Sequence, residues 1–140
     1  MSGFVTRSAL VLAGALLAFI GGSLMLSPVD FLAGSDIRVA DDPSLMSELI
    51  APTGVLLSAG ASMLLGAVKQ RFTSPGLAIG AFVYGSYGIS RIFSIAVHGM
   101  PGSQLTVAMC IELGFAGLLG LLYFSQSASG FTRDMFPHQR

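Results

Sequence analysis

Charge is what this 140-residue chain has least of. Only 10% of its residues are Asp, Glu, Lys or Arg, against 53% hydrophobic, and the formal net charge is zero. A soluble domain of this size needs far more charged surface, so a mean hydropathy of +0.78 places the chain in lipid. With no excess of basic residues and no Lys/Arg cluster, nothing in it fits nucleic acid or a lipid-headgroup switch. Its single cysteine, Cys110, rules out an intrachain disulfide and reads as a small packing residue. There is no histidine pair at metal spacing, no glycine-rich phosphate loop followed by Lys and Ser, and no nucleophile elbow. A two-histidine haem site is equally unsupported, since His98 falls near a helix end and His138 in the tail. The sequence therefore predicts no cofactor and no metal, and gives no sign of an enzyme.

What the chain does have is length without charge. Four stretches, 9–27, 49–68, 77–98 and 104–124, each reach the roughly 20 residues that cross a hydrocarbon core of about 30 Å. The expected fold class is all-α: an integral membrane four-helix bundle occupying residues 1–124, with a polar cytoplasmic tail over 125–140. The first run is too long, and its end too poor a cleavage site, for a signal peptide, so it is expected to remain as a helix. Arg7, Lys69, Arg71, Arg133 and Arg140 fall on one side of such a bundle, and only Arg38 on the other, which predicts both termini in the cytoplasm. Tyr123 and Phe124 suit the inner interface.

The first outer loop carries Asp30, Asp36, Asp41 and Asp42. Within it, Ser27-Pro28 followed by Asp30 starts a short interfacial helix that Gly34 is expected to stop, with Val29, Phe31 and Leu32 on the lipid surface. Asp42-Pro43 repeats the starting signal, and Pro52, which takes the hydrogen bond from the Glu48 carbonyl, predicts a kink. Small residues recur at close spacing: Gly14, Ala18 and Gly22; Gly54, Ser58, Ser62 and Gly66; Ser86, Ser90 and Ser94; Gly114, Gly117 and Gly120. Such ridges let helix backbones approach in lipid, and packing inside one bundle is favoured over a dimer face.

Only two formal charges lie within the four runs, Arg91 and Glu112. A lone charge at that depth costs about 2.5–3.5 kcal/mol, so the two are expected to pair. Arg91 lies about 10 Å and Glu112 about 12 Å below the outer surface, counting 1.5 Å per residue from His98 and Gln104. Tyr84, Tyr87, Arg91, Ser94 and His98 share one helix face, and Glu48 sits at the outer start of the second helix within reach of arginine. One arginine between two carboxylates is either a clamp holding helices in register or a site for a proton or for an anionic or hydrogen-bonding head group. His98 reads as an interfacial helix-end residue.

Ser47-Glu48-Leu49 with Ala51-Pro52 and Gly54, Tyr84-Gly85-Ser86-Tyr87-Gly88 leading to Arg91, Gly99-Met100-Pro101, and Glu112-Leu113 together resemble a bacterial membrane family, the domain of unknown function number forty-three forty-five. The likeness covers most of the chain and is broadly similar to the DoxX-like four-helix membrane proteins. It implies the bacterial inner membrane and supplies no reaction. Where that family often carries arginine after the Glu-Leu pair, this chain has Ile50. The leading expectation is a non-catalytic accessory or scaffold component of a membrane assembly or homo-oligomer. Its rival is a binder or transporter of a small amphipathic or lipid-like molecule, with Arg91, Glu112, Glu48, Tyr87 and Tyr84 lining an outward-facing cavity. A weaker third is a redox helper using a quinone or a partner's cofactor.

Overall fold

A computed structural model describes residues 3–40 and 42–135, with side chains described as far as Gln126. Asp41, His138 and Arg140, and the side chain of Arg133, lie outside the described residues. Among these residues there are helices and no strands: α1 (Gly3–Leu26), α2 (Pro28–Ala33), α3 (Pro43–Ile50), α4 (Thr53–Val68), α5 (Thr73–His98) and α6 (Ser103–Met135), with one 3-10 turn, Gln70–Phe72, before α5. Three helical stretches are long and apolar enough to cross a membrane: Gly3–Leu26, Pro43–Val68 and Ser103–Gln126. The polar stripe and glycines of α5 leave it outside that group. The backbone of α6 stays helical to Met135, well past the 124 boundary expected from hydropathy.

The breaks between helices follow from local chemistry. Asp42 caps α3 by accepting from the Leu45 N–H at 2.9 Å, and Pro43 occupies the first turn, where a missing N–H costs nothing. At Pro52 the ladder breaks as expected, separating α3 from α4. The buried Thr53 hydroxyl donates back to the Ile50 carbonyl at 2.6 Å, satisfying a group the break would orphan. Gly34 does not end α2 in the way the sequence suggested, since it keeps a right-handed helical conformation. The turn is closed by Asp36 at φ 58, with the Ile37 N–H donating to the Leu32 carbonyl. Asp is one of the few side chains that tolerate this region, which is why it can do a glycine's work here.

Contacts between helices run antiparallel in sequence order. Gly14 meets Gly60 and Gly21 meets Leu56 across α1 and α4; Gly76 meets Met63 across α4 and α5; Gly80 meets Leu119 and Gly88 meets Leu113 across α5 and α6. A Cβ on Gly60 would lie 2.8 Å from the Gly14 carbonyl oxygen and 3.0 Å from the Ala18 nitrogen, so these backbones touch directly. The core between them holds Leu10, Ala13, Leu17, Leu56, Met63, Leu77, Tyr84, Leu119 and Leu122.

Several expected ridges are corrected by these contacts. Gly21 rather than Gly22 faces α4, and Gly60 rather than Gly54 faces α1; Gly22 and Gly54 have open space where a Cβ would go. Gly114, Gly117 and Gly120 likewise meet nothing, and Ser86, Ser90 and Ser94 are exposed, so neither set packs inside the bundle. The α5 seam is instead Gly76, Gly80, Tyr84 and Gly88, at an unbroken spacing of four. Spacing identifies small stripes, but which stripe faces a neighbour depends on helix rotation, and that is set by the bulky residues between them.

Candidate functional site

The antiparallel pairing of α5 and α6 brings Arg91 and Glu112 together. Arg91 Nε donates to Glu112 Oε2 at 2.7 Å, a charge-assisted bond made through one edge of the guanidinium rather than its two-pronged fork. The side chains keep 31% and 13% of their exposure, so the pair is partly sheltered and still reachable. It is the one ion pair among the described residues.

Two turns further along α5, Tyr84 is fully packed at 2% exposure, and its hydroxyl donates to the Ala13 carbonyl of α1 at 2.7 Å. Its ring lies 5.1 Å from that of Phe115 on α6. Tyr84 thus ties three helices together, a role its place in the stripe only hinted at. Tyr84→Phe should cost about 0.5–1.5 kcal/mol, the usual net worth of one such bond, because the Ala13 carbonyl keeps its place within α1. Thermal unfolding of the purified variant measures this; a loss several times larger would mean that the hydroxyl does more than join α5 to α1.

Between α1, α5 and α6 lies a partly open cavity of about 300 Å³. Its α1 wall is Leu16, Leu17, Ile20 and Leu24, and its polar patch is Tyr87, Arg91, Gln104 and Glu112. Tyr84 and Ala108 also line it, and Phe31 and Leu32 of α2 close one side. Phe31 is held there by an edge-on contact with Phe19, 6.5 Å between centroids. α2 therefore does more than lie on a lipid surface: it roofs the cavity.

Of the seven residues singled out from sequence, four come together here: Arg91, Glu112, Tyr84 and Tyr87. Glu48, Ser94 and His98 do not. All three are exposed, none lines the cavity, and Glu48 makes no ion pair among the described residues. The physical reason for Glu48 is that α3 packs against α1, α2 and α4 and does not touch α5, which carries Arg91. The sequence reasoning missed Gln104, Ala108 and the α2 roof; the apolar Phe31-Leu32 pair inside an otherwise polar loop was the available signal. Among the described residues no group of three His, Cys, Asp or Glu is close enough to hold a metal.

The family described as Domain of unknown function (DUF4345) matches residues 5–123. The chain belongs to this family. No curated protein and no solved structure matches it. The DUF4345 region runs from Val5 in α1 to Tyr123 in α6, so the cavity and the Arg91–Glu112 pair both lie inside it.

Proposed function

We propose that this DUF4345 protein crosses the bacterial inner membrane four times, α5 included, with both termini cytoplasmic, and binds a small amphipathic molecule non-catalytically. The observation that carries this reading is the polarity of the cavity, with aliphatic side chains along α1 and an ion pair, an amide and a phenol at α5 and α6. Small-molecule sites have this composition, mostly apolar with a few converging polar groups, and a charged pair inside lipid marks a functional site by default. Native mass spectrometry of gently extracted protein tests it. A co-purifying small molecule is expected on the native chain and should be absent from Ala108→Phe, whose ring fills the cavity from the α6 side. A bare protein in both cases refutes the reading.

One observation supports the accessory role instead. Gly114, Gly117 and Gly120 leave a smooth strip on α6 that nothing among the described residues covers, and helices in lipid associate through such strips. The same spectra would then show partner subunits or a second copy on both proteins.

A further inference from the structure

Arg91 spends one donor, Nε, on Glu112, and Glu112 answers with one oxygen. The two Nη amino groups of Arg91 and Oε1 of Glu112 make no hydrogen bond among the described residues, nor do the Tyr87 hydroxyl and the Gln104 amide. No sealed-off side-chain polar atom is left without a partner among those residues, so these uncommitted groups remain accessible, and the wall that their residues share is that of the cavity. Strong N–H donors therefore stand beside a carboxylate oxygen that can only accept. Arg91 and Glu112 are the only charged residues in the lining, and together they are neutral.

We infer that the ligand is a single-chain amphiphile whose uncharged head both accepts and donates hydrogen bonds, with a carbonyl received by Arg91 and a hydroxyl or amide N–H given to Glu112. This rests on the cavity being a binding site. An ionised carboxylate head would gain from the guanidinium but meet Glu112 at close range in a medium of low dielectric, where like charges are poorly screened. A quaternary ammonium head would leave every donor unanswered and sit against Arg91. The volume, about 300 Å³, is at the lower end of the range for small-molecule pockets, which suits one medium-length chain along Leu16, Leu17, Ile20 and Leu24 and not the two tails of a phospholipid.

Three probes of equal chain length decide it: monodecanoylglycerol, decanoate and decyltrimethylammonium, each added at pH 8 to the full chain in lipid nanodiscs while thermal unfolding is followed. Monodecanoylglycerol should raise the midpoint by about 5 °C or more, saturably, and Ala108→Phe should abolish the rise. The charged probes should do neither. Glu112→Gln leaves Arg91 without its counter-charge, so that variant should gain a response to decanoate. If decanoate or the ammonium probe acts on the native chain as strongly, in a way the Ala108→Phe plug removes, the head-group assignment is overturned while the cavity stands. If Glu112→Gln folds and still ignores decanoate, the charge argument is wrong. If no probe gives a response that the plug removes, the cavity reading falls with it.

Discussion

Gly60→Leu should leave no stably folded bundle. A Cβ at this position meets the Gly14 carbonyl oxygen at 2.8 Å and the Ala18 nitrogen at 3.0 Å, and the reciprocal Cβ on Gly14 meets the Gly60 carbonyl at 3.0 Å. These obstacles are backbone atoms, which cannot turn aside as a side chain can. α1 and α4 must separate, and Leu17, Leu10 and Met63 then lose neighbours on one side. In water, the hydrophobic effect would press the helices together again. In lipid it does not, and close packing itself supplies the attraction being removed. Gly60→Ala already overpacks the seam and should cost about 1–3 kcal/mol; the larger side chain goes beyond what the bundle can absorb. Gly114→Leu is the matched control, because open space surrounds that position. The yield of monodisperse protein and the unfolding midpoint of the two leucine variants provide the test. Equal behaviour would mean that α1 and α4 do not meet at these glycines.

The second large effect concerns the ion pair. Arg91→Leu leaves Glu112 without its cation in a partly sheltered position, at a cost of about 2.5–3.5 kcal/mol if the carboxylate stays charged at bilayer depth. Glu112→Leu should cost a similar amount for the stranded guanidinium. Replacing both together removes the stranded charge, and buried pairs exchanged for apolar residues are often neutral in stability. The double variant should therefore regain most of what either single change loses, and still bind no amphiphile in the cavity. Measuring the midpoints of all four proteins closes the cycle. Additive losses would mean that the 2.7 Å contact contributes no coupling between α5 and α6.

The parts of this structure legible in the sequence are those governed by one-dimensional signals. Apolar runs located α1, α4 and α6, Asp42-Pro43 marked the start of α3, and Pro52 marked a break. Counting residues from helix ends put Arg91 and Glu112 at matching depth, and that arithmetic survives because the Gly99–Gly102 connection is too short to let the helices slip. The rest required knowledge of rotation about each helix axis. Gly21 and Gly22 are adjacent in sequence yet point 100° apart, and only the packing of Leu17, Leu56 and Leu57 decides which one faces α4. Tyr84 looked like part of a polar stripe because its hydroxyl was weighed above its ring, whereas burial satisfies both at once. The reach of an arginine side chain does not bring Glu48 to Arg91, because α3 rests on α1, α2 and α4 and has no contact with α5.

α5 has a consequence for how the protein is made. It is the long helix that fails the apolarity expected of a span, and a translocon sampling it by itself would meet an arginine, two tyrosines and four serines with no compensation. α6 carries the answering carboxylate and follows after a turn of only a few residues. If α5 spans as proposed above, the two halves of that hairpin leave the ribosome, meet and partition laterally as one insertion unit. On that four-span reading, truncation between them strands α5 outside the bilayer, even with every residue of its own sequence intact.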